Sequence, residues 1–265
     1  MKNSITVIKV GGAVVEDSIS LGTLLDAFAK IDGPKILVHG GGRLATAMAS
    51  NLKIETRMVN GRRVTDKEML KVVTMVYGGL INKQIVAQLQ ARGINAIGLT
   101  GADLDIVRAH RRPITPEGID FGYVGDIDHA DGDSLHQLLC MFATPVIAPL
   151  THDGEGQLLN TNADTMAQTI AVALSKPFPD LDSSPEEVTL TFCFELPGVL
   201  RDASDPSTLI PRITEDDFRT LVADGIVSGG MIPKLENAFA ALHEGVSFVR
   251  ITNIKNLQGG TVITL

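Results

Sequence analysis

The sequence predicts an α/β protein built on a mainly parallel sheet. Between Ile5 and Ser50 it alternates apolar strand, loop and helix twice over. Its apolar runs are continuous rather than alternating, as strands covered on both faces are. Glycines sit at the strand-to-helix junctions, as Gly11-Gly12 and again as Gly40-Gly41-Gly42.

Taken in order, Ile5 to Val10 reads as a β-branched buried strand that carries one misfit, Lys9. A lysine there costs free energy unless its ammonium meets an anion or reaches the surface, and both readings stay open because glycines follow at once. Leu21 to Ile31 spaces Leu21, Leu24, Leu25 and Phe28 on one helical face, and Asp32-Gly33-Pro34 stops it. Ile36 to Val38 is the second buried strand, and the run after Arg43 reads as helix. The three glycines between them let the backbone turn sharply and approach a ligand, while a helix start directs unpaired amides at it; a tight packing turn fits the same residues.

Farther on, Met58 to Thr65 sets Arg62 and Arg63 after an Asn-Gly turn signal, as a carboxylate clamp or as solvated charge. Lys67 to Val76 and Leu80 to Ala91 read as two helices broken at Gly78-Gly79. Ile94 to Gly98 reads as a strand, and residues 101 to 131 as a hairpin excursion from the main sheet. Ser134 to Met141 is helical, and Thr144 to Leu150 is another buried strand. Asn162 is an N-cap signal for a helix from Ala163 to Leu174. Asn160 and Asp164 flank it, suited to capping and the helix dipole or to holding a ligand and orienting lysines. The proline-bearing stretch from Lys176 to Glu187 marks a lobe boundary, giving lobes of 1–176 and 177–265. Beyond it come a strand from Val188 to Phe194, a capping-box helix from Thr214 to Ala223, and a second glycine-rich segment, Gly225 to Met231. A helix opening with Pro233 and Lys234 follows, then closing strands at Val246 to Ile251 and Thr261 to Thr264.

With 265 residues, 44% of them hydrophobic and 20% charged, the chain is long enough for a full core. The net charge of −8 excludes a broad nucleic-acid surface, although a few converging cations still make a local anion site. Cys140 and Cys193 belong to no paired motif and read as buried free thiols. His110, His129 and His136 lack metal-ligand spacing and read as surface residues. No apolar run approaches the roughly 20 residues needed to cross a bilayer, nor is there a signal-peptide core, so a cytoplasmic protein is expected.

Three glycine-bearing loops, two of them with a lysine, are what transfer of a phosphoryl group between two anions requires, because that reaction is catalysed mostly by positioning and charge neutralisation. Neither a Walker A pattern nor the dinucleotide fingerprint is present.

Five motifs, Val7-Ile8-Lys9-Val10-Gly11-Gly12, His39-Gly40-Gly41-Gly42, Asn60-Gly61-Arg62-Arg63-Val64-Thr65, Asn160-Thr161-Asn162-Ala163-Asp164 and Gly230-Met231-Ile232-Pro233-Lys234, occur in the order and spacing of the amino acid kinase family, which the chain resembles from residue 5 to its C-terminus. Within it the chain is most similar to the branch acting on N-acetyl-L-glutamate. The resemblance implies an open three-layer αβα sandwich with an N-terminal lobe for the acyl amino acid and a C-terminal lobe for ATP. It implies that Lys9 and Lys234 stabilise the transferring phosphoryl group and that Asp164 holds both lysines. Gly41, Gly42, Arg63 and Asn160 would bind the acylated amino acid; Gly11, Gly12, Glu195, Gly198, Leu200, Ser228 and Gly230 would bind ATP. Mg²⁺ would ride on ATP phosphates with no protein metal ligand, and the chain would be a homodimer of the arginine-insensitive type, serving arginine biosynthesis.

Two departures stand out. Relatives carry Thr-Asp or Ser-Asp where this chain has Phe194-Glu195, which puts nucleotide contacts there in doubt. Arg62 adds a cation beside Arg63, which would suit an N-succinyl group, and a catalytically silent amino-acid-binding module is the alternative from another class.

Overall fold

The structure, a computed structural model, describes residues 4–59, 61–177, 187–229 and 231–265. Its spine is an eight-stranded sheet in the order Arg212–Ile213, Thr261–Ile263, Phe248–Asn253, Glu187–Phe194, Ser4–Val10, Lys35–His39, Thr144–Ile147, Ala96–Leu99. Only the pairing of Phe248–Asn253 with Thr261–Ile263 is antiparallel.

Both faces of this sheet are covered, which is why its strands are continuously apolar. Side chains alternate across the pleat. Ile5 and Val7 enter one core with Met166 and Ile170 of the Ala163–Leu174 helix and Leu235 and Phe239 of the Met231–His243 helix. Ile8 and Val10 enter the opposite core with Leu21, Leu24, Leu25 and Phe28 of the Ser18–Ala29 helix and Ala45 and Ala49 of the Gly42–Asn51 helix. The result is the three-layer αβα sandwich.

Residues 101 to 131 do leave the main sheet. Val107–Arg111 and Gly125–Ala130 form an antiparallel hairpin within a second, four-stranded sheet completed by Leu150–His152 and Leu158–Asn160. The expected strand from Thr144 to Leu150 therefore divides, its second part serving this smaller sheet.

The expected helix break at Gly78-Gly79 is corrected. The Lys67–Val73 helix passes into a π-helical stretch, Thr74–Ile81, and on into Asn82–Gln90 without interruption. The wider π turn carries both glycines inside the helix, and packing of Val76, Tyr77 and Ile81 in the core outweighs their poor helix propensity. The two buried thiols are also corrected: Cys193 is buried, its thiol pushed up to about 12 by desolvation, but Cys140 is exposed beside His136.

The caps follow the sequence. Asp217 and Thr214 close the capping box of Glu215–Ala223, and the Asn162 side chain accepts from the Asp164 and Thr165 amides at 2.8 and 3.1 Å. Replacing Asn162 by Ala removes that acceptor and is expected to lower stability by about 1 kcal/mol. A denaturant midpoint unchanged from the parent would show that the cap contributes nothing.

Candidate active site

The site forms beyond the carboxyl ends of the central strands, where Ser4–Val10, Lys35–His39, Glu187–Phe194 and Phe248–Asn253 deliver their last residues. By the pleat, Lys9 falls on the Ile5 and Val7 side, facing the Ala163–Leu174 helix. It is 7% exposed, and its ammonium lies 2.7 Å from Asp164 Oδ1. That carboxylate oxygen is buried and lacks a hydrogen bond within the described residues, so the ion pair compensates its charge.

Lys234 comes to the same face from the first turn of Met231–His243. Its ammonium lies 3.9 Å from the centroid of the Phe194 ring, and the Lys9 ammonium lies 5.3 Å from that centroid. Burial pulls the Lys234 ammonium below the ordinary lysine value; Asp164 opposes this, Lys9 adds to it and Glu195 opposes it. Two lysines separated by 225 positions thus meet across one aromatic ring.

Two cavities adjoin at Gly42, which lines both. The larger, about 500 Å³, is lined by Gly11, Gly12, Glu195, Gly198 and Lys234 together with Phe194. The smaller, about 240 Å³, is lined by Lys9, Gly41, Gly42, Arg63, Asn160 and Asp164.

The glycine loops are close-packed. A Cβ on Gly12 would stand 3.3 Å from the Gly41 and Gly42 amide nitrogens, and one on Gly41 would press on Ile81 at 2.3 Å and Tyr77 at 3.1 Å. The Gly42–Asn51 helix begins here, and Glu16 already accepts from the Leu44 amide at 2.8 Å, a carboxylate at a helix N-terminus as its dipole favours. Behind the loop His39 is fully buried; desolvation drives its pKa down to about 4, partly offset by its bond to the Gly40 carbonyl, so the ring is neutral near pH 7.

Arg63 is held rather than free. Its Nη2 donates to the Gly42 carbonyl and to Thr46 Oγ1, both at 2.8 Å. The Asn160 amide donates to Thr65 Oγ1 at 2.9 Å, and the Asn160 backbone N–H donates to the Tyr123 carbonyl, which ties the two motifs together. Asn60 and Gly230 lie outside the described residues. Leu200 is buried in a bridge with Leu209 and Ser228 is exposed before the last helix, and neither lines the two cavities.

Two site residues, Tyr77 and Arg112, escaped the sequence reading, and a third, Arg62, reads there as a cation beside Arg63. Tyr77 lines the smaller cavity, its phenol raised by desolvation and lowered in opposition by Arg63. Arg112 lines it too, paired with Asp126 at 3.0 Å. Arg62 joins them at the rim; desolvation lowers its pKa, Arg112 adds to this and Asp126 opposes it. A tyrosine inside the glycine pair's helix was a usable signal for the first. Nothing local signalled Arg112, since the hairpin's fold brings it in. Among the described residues no group of three or more His, Cys, Asp or Glu could hold a metal ion.

Residues 4–253 match the model of the amino acid kinase family. The chain belongs to the amino acid kinase family. An acetylglutamate kinase of Bacteroides fragilis is 54% identical over 265 residues, spanning 99% of this chain and 98% of its own length. Another, from Bacteroides thetaiotaomicron, is 56% identical over 252 residues, 95% of this chain and 94% of that one. The crystal structure of smu.665 from Streptococcus mutans UA159 superposes with a TM-score of 0.78 at 28% identity, covering 100% of this chain and 99% of that one. The sandwich observed here is thus the family's fold.

The Lys234 ammonium can neutralise an anion at the cavity junction only while it is protonated. Burial lowers its pKa from the usual 10.5, so the charged form is lost at a lower pH than that of an ordinary lysine as pH rises. An alkaline fall in kcat/KM centred below 10.5 is expected, and a limb at or above it would show the ammonium unperturbed.

Proposed function

We propose that this chain is an ATP-dependent kinase that phosphorylates the side-chain carboxylate of N-acetyl-L-glutamate to the acyl phosphate, in arginine biosynthesis. The observation that carries it is the meeting of Lys9, Asp164 and Lys234 at the junction of two cavities, one backed by the Gly11-Gly12 turn and the other by Arg63 and Asn160. The high identity to acetylglutamate kinases over nearly the whole chain supports the substrate. The retained lysines and Asp164 speak against a silent binding module.

In this reading ATP occupies the larger cavity, with its phosphates toward Gly11, Gly12 and Lys234. Glu195 and Gly198 border the nucleotide, whereas Leu200 and Ser228, which line neither cavity, take no part in this assignment. The acyl amino acid occupies the smaller cavity, its α-carboxylate on Arg63 and its acetamide near Asn160, with Gly41 and Gly42 amides facing the reacting end. The acceptor carboxylate, with an ordinary pKa of about 4.3, is already ionised and needs no general base. One of its oxygens forms a bond to the γ-phosphorus as the bond to the leaving phosphate oxygen breaks, releasing ADP. Lys234 and Lys9 neutralise charge on the transferring group, while Asp164 holds Lys9 by direct contact and acts on Lys234 at longer range. Mg²⁺, carried by the phosphates, supplies further charge neutralisation.

Residues 1–176 form the acyl-amino-acid lobe and 177–265 the ATP lobe in this assignment. Support comes from the smaller cavity, whose lining residues all lie between Lys9 and Asp164, while the larger adds residues from Cys193 to Ile251 to the Gly11-Gly12 turn and Gly42 of the first lobe. No helix among the described residues is long and apolar enough to cross a membrane, and the use of ATP together with two free thiols supports a cytoplasmic setting. Exposed Met75, Leu80 and Ile97, the last on the edge strand Ala96–Leu99, support a homodimer built on that edge. Sedimentation equilibrium should give about twice 28.2 kDa, and a monomer at micromolar concentration rejects the dimer.

The function is tested by ATP-dependent hydroxamate formation with N-acetyl-L-glutamate, N-succinyl-L-glutamate and free L-glutamate. The acetyl compound should show the highest kcat/KM; a succinyl preference overturns the acetyl assignment, and no turnover of any overturns the kinase. Lys234→Ala is expected to lower kcat by about 100-fold with little change in KM for the amino acid. An unchanged kcat would remove Lys234 from the transition state.

A further inference from the structure

Phe194 ends the strand Glu187–Phe194 beside the central strand, at a position where the family resemblance leads one to expect a hydroxyl side chain. Its surroundings give the ring a task that a hydroxyl could not perform. The Lys234 ammonium sits 3.9 Å from the ring centroid, and the Lys9 ammonium sits within cation–π range at 5.3 Å. The ring is fixed from behind by Phe192, 3% exposed, with centroids 6.0 Å apart and planes inclined by 7°. Asp164 forms its ion pair with Lys9; no carboxylate of the described residues stands within ion-pair distance of Lys234.

Two ammonium groups brought into one crevice repel each other, and the carboxylate ion-paired there touches Lys9, so Asp164 and Glu195 act on Lys234 only from beyond ion-pair distance. A second carboxylate on Lys234 would attract it, but would also compete with the phosphoryl oxygens for the same charge. An aromatic face attracts a cation through its quadrupole while carrying no net charge of its own. The ammonium keeps its full positive charge and its three N–H donors for an incoming anion.

We propose that Phe194 is a positioning residue for phosphoryl transfer, its ring face holding the Lys234 ammonium, and more weakly that of Lys9, at the junction of the two cavities before the substrates arrive. The proposal rests on the kinase reading above. The altered segment is then a different solution for placing the second lysine, and the loss of the hydroxyl at that position is not a loss of function.

The test replaces Phe194 in the full chain with mono-, di- and trifluorinated phenylalanine, which keep the ring's size while progressively emptying its face of negative potential. With N-acetyl-L-glutamate and ATP saturating, kcat should fall stepwise to a total of about 5-fold, with KM for the amino acid unchanged. Phe194→Leu should lower kcat at least as far, and Phe194→Tyr, which restores a π face, should recover it to within about 2-fold of the parent. A kcat that stays flat along the fluorine series overturns the proposal, as does a series in which only KM for ATP rises, since the ring would then be a nucleotide contact. The fluorinated chains decide even where the leucine variant folds poorly. A parent chain without activity refutes the kinase reading instead, so the two failures are told apart.

Discussion

A charged lysine at the end of the central strand of a sheet buried on both faces is the constraint on which the rest of this molecule depends. Lys9 is 7% exposed with its neighbours Ile8 and Val10 fully buried, and its ammonium is paired with one carboxylate oxygen 2.7 Å away. Breaking a buried ion pair on one side costs about 3–5 kcal/mol, because the survivor is stranded in a low-dielectric setting. The Ala163–Leu174 helix must therefore begin where it does, and Asn162 caps it so that Asp164 falls in its first turn, pointing at the strand. The Asn-x-Asn-Ala-Asp pattern is one solution to two demands, starting a helix and neutralising a buried ammonium.

Close approach is the second demand. The Gly11-Gly12 turn rests on the amides of Gly41 and Gly42, and the π-helical turn at Thr74–Ile81 presses Tyr77 and Ile81 on the other side of Gly41. Three backbone segments meet where side chains would not fit. That leaves amide groups and a helix N-terminus facing the cavity junction, and Glu16 at the Leu44 amide already shows the preference of that helix end for a carboxylate. Arg63 ties to this loop through the Gly42 carbonyl, so the guanidinium is anchored to the glycine backbone.

Much of this was legible in the sequence because the relevant signals are local. Continuous apolar strands, glycines at strand ends, an Asn-Asp cap and a capping box each declare themselves within a few residues and point to a mainly parallel α/β protein. The three-layer sandwich and the grouping of Lys9, Arg63, Asn160 and Asp164 come instead from the order and spacing of five motifs shared with the amino acid kinase family. What stayed hidden depends on distance or on packing. Gly78-Gly79 reads as a break because propensity counts residues singly, whereas the buried faces of Val76 and Ile81 hold the helix through it. Arg112 reaches the smaller cavity only because a hairpin of the second sheet crosses over it, and its strong pairing with Asp126 has no signature in spacing. Phe194 reads as a missing hydroxyl until the two ammonium groups beside it are seen.

The electrostatics of the two lysines divide their roles in the proposed reaction. Lys9 is tied to a carboxylate and framed by the central strand, so its position is set whether or not substrate is present. Lys234 is half-buried at the start of a helix, desolvated enough that its ammonium holds its proton less firmly than an ordinary lysine, and it leans on a neutral ring instead of an anion. A desolvated cation with no carboxylate in direct contact gains the most from an arriving anion, since no ion pair must be broken when the new contact forms. The protein as a whole carries a charge of −8, which repels anions at long range. Attraction is therefore confined to the few ångströms around these lysines and the arginines of the smaller cavity, where opposite charges meet at short range. Lys9 then acts as a fixed point of the framework, and Lys234 as the cation whose stabilisation of the phosphoryl group grows as negative charge develops on it.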